Sequence, residues 1–120
     1  MIKGIGLDIT DISRIEQSVA KSERLAERVL TSEEMKLYKE MVPKRKVEFL
    51  AGRFAAKEAF VKATGTGIGK VVGFQDIEIL PSETGAPRIT AAGYERDRIF
   101  ISITHTENYA AAQVIIEELV

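Results

Sequence analysis

Two carboxylates in unusual surroundings are the residues of this sequence best suited to chemistry. Asp8 lies in the segment MIKGIGLDIT, where it would share one strand face with Gly4 and Gly6, which carry no side chain. Glu58 falls within the apolar stripe of a predicted helix, where a carboxylate is costly without a cation or hydrogen-bond partner. Two such carboxylates suit magnesium, which commonly takes one or two carboxylates plus phosphate oxygens. The structural alternatives are a strand-end aspartate and a Glu58–Lys62 helix pair.

The stripe around Glu58 belongs to a helix predicted over about 45 to 64. Its apolar members are Val47, Leu50, Ala51, Phe54 and Val61. Lys62 lies one turn beyond Glu58, close to the same face. A separate stripe, about 100° away, holds Lys46, Arg53 and Lys57.

The glycine run Gly65 to Gly69 follows a helix rather than a strand. It is therefore neither a dinucleotide fingerprint nor a Walker loop. We predict that Gly65 ends the helix in the left-handed conformation. The alternative is that backbone N–H groups of the run approach a phosphate, assisted by Lys62 and Lys70.

His105 is the single histidine, at the end of the predicted strand ISITH, so a histidine-rich metal site is excluded. A triad with Ser102 and Asp76 is also excluded, because Ser102 and His105 would point to opposite faces of the strand. Contact of Thr104 or His105 with a phosphate or nucleotide stays open.

The charges are divided along the chain. The formal net charge is −1, yet residues 1 to 70 hold 14 basic and 10 acidic residues, whereas residues 71 to 120 hold 3 basic and 8 acidic residues. In the first predicted helical segment one side carries the bases Arg14, Lys21, Arg24 and Arg28. The pattern indicates either a solvated amphipathic helix or, if the helix is continuous, a basic ridge for an acidic partner.

The predicted elements give an α+β fold: an N-terminal strand, a helical block with one long central helix, then a mainly antiparallel sheet. A strand is predicted over 2–9, helices over about 11–30 (broken near 18–22), 31–41 and 45–64, and strands over 74–80, 87–90, 99–104 and 109–116. Pro43 is expected to end the helix before it.

Composition narrows the class of protein further. We expect one domain over residues 1–120, because this length can bury a core without disulfides or a structural metal. The absence of cysteine excludes thiolate catalysis and favours a reducing compartment, with the cytoplasm as the expected location. Neither a membrane-spanning helix nor a secretory signal is expected.

Three segments together resemble the holo-acyl-carrier-protein synthases of the 4′-phosphopantetheinyl transferase superfamily. They are GIGLDITDISRIE (4–16), RFAAKEAFVKATGTGIG (53–69) and ISITHTENYAAAQVIIE (101–117). Phe54 stands where many relatives have Trp, and Thr104 stands where Ser is also common. The resemblance implies the 4′-phosphopantetheinyl transferase fold in its short, single-repeat form.

The resemblance also implies an activity that supports fatty acid biosynthesis. In it, 4′-phosphopantetheine passes from coenzyme A to a serine of apo acyl carrier protein, releasing adenosine 3′,5′-bisphosphate. Asp8 and Glu58 would bind Mg²⁺, and Lys62 would bind the pyrophosphate and help the leaving group. The base for the serine stays open among Glu58, Asp8 and a metal-bound water.

By the same resemblance, other residues are implied in binding. Coenzyme A would contact Lys44, Arg45, Arg53, Lys62, Gly65, Gly67, Ile68, Gly69, Thr104 and His105. Carrier protein would contact Arg14, Lys21, Arg24 and Arg28. Relatives of this length are homotrimers with active sites between subunits, so we expect self-association. Neither nucleic acid nor a membrane is an expected partner.

Two other functions are compatible with the residues alone. A non-catalytic module could recognise an acidic protein or RNA through its basic face, although this leaves Glu58 in an apolar stripe unexplained. A different magnesium-dependent nucleotide enzyme could use the same Asp8, Glu58 and Lys62. Identification of the reaction product separates these possibilities.

Overall fold

A long helix packed on an antiparallel sheet organises the chain, as the α+β prediction requires. The structure is a computed structural model that describes residues 1–65 and 72–119. Its strands are β1 (Ile2–Asp11), β2 (Ile77–Pro81), β3 (Pro87–Ala91), β4 (Asp97–His105) and β5 (Tyr109–Glu118). Its helices are α1 (Ile12–Lys21), α2 (Arg24–Val29), α3 (Ser32–Lys39) and α4 (Pro43–Thr64), with a short 3₁₀ turn at Phe74–Asp76. One sheet has the order β1-β5-β4, and β2 and β3 form a separate hairpin.

The two faces of β1 have opposite roles. The predicted alternation is confirmed, but the glycine-bearing face packs on α4 and the apolar face of Ile5, Leu7 and Ile9 is exposed. A Cβ added at Gly6 would lie 1.7 Å from the carbonyl oxygen of Ala59. Glycine is therefore required for the strand and helix backbones to come this close.

The first helical segment is broken, as predicted. α1 begins after Asp11, whose carboxylate accepts a hydrogen bond from Ser13 N, and it ends at Lys21. α2 begins at Arg24 after two non-helical residues. The continuous helix on which a single basic ridge would depend is thus absent from this segment.

Two boundaries differ from the sequence prediction. Pro43 is the first residue of α4 rather than only a terminator of α3, which already ends at Lys39. Proline suits this position because its missing N–H would have no partner in the first helical turn. The helix predicted over 31–41 begins with a capping box formed by Thr31 and Glu34.

The segment predicted as a strand over 74–80 begins with a 3₁₀ turn. The Asp76 carboxylate accepts a hydrogen bond from Gly73 N at 2.9 Å, and Asp76 N donates to the Gly73 carbonyl. These local bonds compete with strand pairing over Phe74–Asp76. Ladder pairing with β3 starts only at Ile77.

α4 is buried on more than the one stripe that its sequence predicted. Lys57 is fully buried, and its amine donates to Glu34 at 2.6 Å, Val29 O at 2.6 Å and Phe74 O at 3.0 Å. The Glu34 carboxylate also accepts from Ile79 N at 2.7 Å. A buried ion pair of this kind is tolerated because all its polar atoms find partners.

No helix among residues 1–65 and 72–119 is long and apolar enough to cross a membrane.

Candidate active site

Asp8 and Glu58, predicted from separate segments, line one cavity of about 360 Å³. The contact between Gly6 and Ala59 explains why they meet, because it brings β1 onto α4 one residue away from Glu58. Arg14 of α1 and Phe54 of α4 also line this cavity. Asp8 and Glu58 are both only partly buried, so a ligand can reach them.

The electrostatics of this cavity are unfavourable for two ionised carboxylates. Burial raises the pKa of Glu58, and the nearby charge of Asp8 raises it further, while Lys62 and Arg28 act in the opposite direction. Like charges held close together disfavour ionisation unless a cation intervenes. The cavity therefore favours binding of additional positive charge.

Lys62 is paired with Asp8 rather than with Glu58. Its exposed amine lies 3.0 Å from Asp8 Oδ1 and donates to Leu7 O at 3.1 Å. The helix pair considered as an alternative for Glu58 and Lys62 is thus not the ion pair that Lys62 forms. Thr10, which the sequence did not single out, donates its hydroxyl to Asp8 Oδ2 at 3.3 Å.

The donor set of this cavity fits a hard divalent cation. Asp8 and Glu58 supply carboxylate oxygens, the ligand type that magnesium prefers. Within the described ranges, no group of three or more His, Cys, Asp or Glu side chains could hold a metal ion. A cation here would thus take two carboxylates from this chain.

A second cavity of about 360 Å³ collects three of the predicted coenzyme A residues, Arg45, Arg53 and His105. The carboxylate of Glu48 lies between two of them, 3.8 Å from Arg45 and 3.6 Å from His105. This cavity shares no lining residue with the Asp8–Glu58 cavity. It lies between α4, β4 and the β2–β3 hairpin.

Arg53 is the most unusual member of this second cavity. It is buried, donates to Ile79 O at 3.2 Å and stacks its guanidinium 4.1 Å from the Phe49 ring centroid. Its Nε has no hydrogen-bond partner, and burial lowers its pKa to about 10. A buried guanidinium with an unpartnered nitrogen is suited to an anionic ligand. Sequence periodicity placed Arg53 on a basic stripe and gave no signal of its burial.

The remaining predicted coenzyme A residues are spread over different surfaces. Lys44 lines a larger groove of about 1230 Å³ between α1, the start of α4 and the β4–β5 connection, where His105 also contributes. Thr104 is exposed and pairs with Ala111, so strand alternation puts its side chain on the sheet face opposite to that of His105. Gly65 ends α4 with φ of 80°, as predicted. Gly67, Ile68 and Gly69 lie outside the described residues.

The four predicted carrier-protein residues are exposed, but on two helices. Arg14 and Lys21 belong to α1, and Arg24 and Arg28 belong to α2. Arg14 lines the Asp8–Glu58 cavity, and Arg28 is close enough to influence the pKa of Glu58. The basic surface therefore adjoins the two carboxylates.

Comparisons with known proteins agree over nearly the whole chain. A family model described as the 4′-phosphopantetheinyl transferase superfamily matches residues 4–114. A relative from Listeria innocua serovar 6a, named holo-[acyl-carrier-protein] synthase, is 55% identical over 98% of this chain and 100% of its own. One of the same name from Bacillus subtilis (strain 168) is 56% identical over 99% of this chain and 98% of its own.

Solved structures give the same result. A holo-(acyl-carrier-protein) synthase from Bacillus anthracis, in complex with CoA (3′,5′-ADP), matches with a TM-score of 0.92 and 44% identity over 99% of both chains. A Helicobacter pylori holo-[acyl-carrier-protein] synthase in complex with coenzyme A matches with a TM-score of 0.82 and 38% identity, covering 94% of this chain and 99% of the other. The predicted family and fold are confirmed.

Proposed function

Because this chain belongs to the 4′-phosphopantetheinyl transferase superfamily, we propose that it transfers 4′-phosphopantetheine from coenzyme A to a serine of apo acyl carrier protein. Relatives spanning its full length are named holo-[acyl-carrier-protein] synthase, and similar solved structures hold coenzyme A. The observation that carries the proposal is the meeting of Asp8 and Glu58 at one cavity beside a basic surface, with Lys62 paired to Asp8.

In this reaction the serine oxygen of the carrier forms a bond to the β-phosphorus of coenzyme A. The bond from that phosphorus to the bridging oxygen breaks, and adenosine 3′,5′-bisphosphate leaves with the electron pair. The nucleophile belongs to the carrier, which is consistent with a sequence that has no cysteine and places Ser102 and His105 on opposite strand faces. The tasks of this chain are then to position two substrates, neutralise charge and move a proton.

Asp8 and Glu58 would hold Mg²⁺ in this proposal. The ion would neutralise the negative charge that develops on the phosphates during transfer. The Lys62 amine, exposed and 3.0 Å from Asp8, would bind the pyrophosphate and assist the leaving oxygen by its charge or by donating a proton. The Glu58 carboxylate, with its pKa raised by burial and by Asp8, is our preferred protein group to accept the serine proton.

The separation of the two cavities supports the proposal that each active site uses two copies of the chain. At about 100° per residue, Arg45 and Arg53 both lie about 140° around α4 from Glu58. One helix therefore separates the carboxylates from the buried arginine that suits a 3′-phosphate. A neighbouring copy that brings its Arg53 cavity towards the Asp8–Glu58 cavity would complete the site.

The open face of the three-stranded sheet provides a surface for such association. Ile5, Ile115 and Phe100 form an apolar row across β1, β5 and β4, and the first and last are 58% and 48% exposed. A contiguous exposed apolar patch of this kind marks an interaction surface. We therefore propose a homotrimer assembled through this face.

Ile5→Lys is expected to convert the trimer into monomers, because an ammonium group in an apolar interface must lose its hydration. Sedimentation equilibrium should give about three times the 13.3 kDa chain mass for the parent and a single chain mass for the variant. Val42→Lys is the matched control, because Val42 is 67% exposed but lies outside the sheet. A monomeric parent, or a trimeric Ile5→Lys protein, would contradict the assembly.

The direct test of function incubates the protein with Mg²⁺, coenzyme A and apo acyl carrier protein and then weighs the carrier. A mass gain of one phosphopantetheine group, together with adenosine 3′,5′-bisphosphate as the second product, is expected. An unchanged carrier would exclude the proposed transfer. Release of another nucleotide product would instead indicate a different magnesium-dependent enzyme.

A further inference from the structure

The position of the short helix α2 depends on contacts with other elements. It has six residues and two buried side chains, Ala26 and Val29, and its N-cap residue Glu23 makes no side-chain cap hydrogen bond, although Ser22 Oγ accepts from Arg24 N at 3.3 Å. A helix of this length is unstable by itself in water, and its last carbonyls have no partners within the helix. Its placement must therefore come from contacts with other elements.

Two side chains from outside α2 bind the carbonyls at its end. The Gln75 amide donates to Glu27 O and Arg28 O at 3.2 Å each and to Leu30 O at 2.8 Å. Lys57 of α4 donates to Val29 O at 2.6 Å. Four consecutive carbonyls are thus bound by one exposed glutamine and one buried lysine.

The 3₁₀ turn at Phe74–Asp76, which contains Gln75, also contacts the side chain of Arg28. The Arg28 guanidinium lies 5.4 Å from the ring centroid of Phe74, the residue before Gln75. Lys57 donates to Phe74 O as well as to Val29 O, which ties this turn to the end of α2. Arg28 is consequently held at its backbone by Gln75 and at its side chain by Phe74.

We infer that Gln75 is a positioning residue for carrier-protein docking: it fixes the last turn of α2 so that Arg28 stands beside the Asp8–Glu58 cavity. This inference rests on the proposed function. Arg28 is exposed, and Leu25 of the same helix lines the Asp8–Glu58 cavity, so the location of Arg28 controls where an acidic partner approaches the reacting groups. A charge that is already held in place contributes more to binding than one that must be ordered on contact.

The experiment is a double-mutant cycle between Gln75→Leu and Arg28→Ala, measured as KM and kcat for apo acyl carrier protein. We expect Arg28→Ala to raise KM about tenfold in the parent but only about twofold in the Gln75→Leu background, since a displaced Arg28 contributes little. Gln75→Leu alone should raise KM for the carrier several-fold, with a smaller effect on kcat and on KM for coenzyme A.

The control cycle pairs Gln75→Leu with Arg14→Ala, because Arg14 lies on α1 and does not depend on the end of α2. These two changes should be additive. A role limited to stability would lower the melting temperature of Gln75→Leu and leave both cycles additive, which would overturn the inference. If Gln75→Leu does not fold, Gln75→Asn, one methylene shorter, takes its place in both cycles. An inactive parent would remove the proposed function and this inference together, whereas additive cycles in an active parent remove the inference alone.

Discussion

Glu58→Gln should lower kcat/KM for phosphopantetheine transfer by about 10²- to 10³-fold, the size of effect seen when one preorganised charge-stabilising group is lost. The substitution keeps the shape of the side chain and removes its negative charge and its basicity. In the proposed reaction Glu58 binds Mg²⁺ with Asp8 and is the preferred acceptor of the serine proton. Both tasks require the carboxylate.

The same substitution should not destabilise the chain. Burial and Asp8 raise the pKa of Glu58, so the folded state disfavours its ionised form. A raised carboxyl pKa contributes stability at acidic pH that is lost as the pH rises through the folded-state pKa. In buffer without divalent cations at neutral pH, the neutral amide that replaces this carboxylate should therefore leave the free energy of unfolding equal to or above that of the parent.

Urea unfolding at pH 7 and at about pH 4, near the ordinary pKa of glutamate, measures this difference. Any gain in stability from Glu58→Gln should shrink at the lower pH, where the parent carboxyl is protonated. Glu40→Gln, at an exposed position after α3, is the matched control and should change neither rate nor stability. A value of kcat/KM for Glu58→Gln close to that of the parent would show that Glu58 is not part of the active site.

The sequence predicted most of the elements because their signals are local. Alternation in β1 and β5, the capping box at Thr31 and the left-handed Gly65 each depend on residues only a few positions apart. The predicted start of α4 and the strand predicted over 74–76 were wrong, because Pro43 and Asp76 can each occur in either of two local structures. Tertiary packing decides between such alternatives.

The candidate site was predictable in its residue types but not in its surroundings. The resemblance placed Asp8, Glu58 and Lys62 together; the structure brings Asp8 and Glu58 to one cavity and pairs Lys62 with Asp8. Helical periodicity could not show that Lys57 is buried, because its partners come from α2, α3 and the Phe74–Asp76 turn. Strand alternation could not show which face of β1 packs on α4. That choice depends on whether burial of apolar side chains or close approach of the two backbones determines the contact.

Gly6→Ala should be strongly destabilising, because the packing of β1 on α4 leaves no space for the added methyl group. The added Cβ would lie 1.7 Å from Ala59 O and 2.8 Å from the carbonyl carbon, and both are helix backbone atoms that cannot rotate away. β1 and α4 must then separate, at a cost at or above the roughly 1–3 kcal/mol typical of an overpacked core. The separation also moves Asp8 away from Glu58, so transfer should fall even at temperatures where the variant stays folded.

Gly73→Ala is the matched control for this effect. Its Cβ would meet Asp76 Oδ2 at 3.6 Å, an ordinary contact, and its φ of −106° is accessible to alanine. Comparison of urea unfolding for the two variants separates the general effect of replacing glycine from the specific contact of β1 with α4. Equal stability of Gly6→Ala and Gly73→Ala, within about 0.5 kcal/mol, would show that the close approach at Gly6 does not determine where Asp8 lies. A stable Gly6→Ala protein with lost transfer would instead indicate that α4 yields locally and that the Asp8–Glu58 arrangement is more sensitive than the fold.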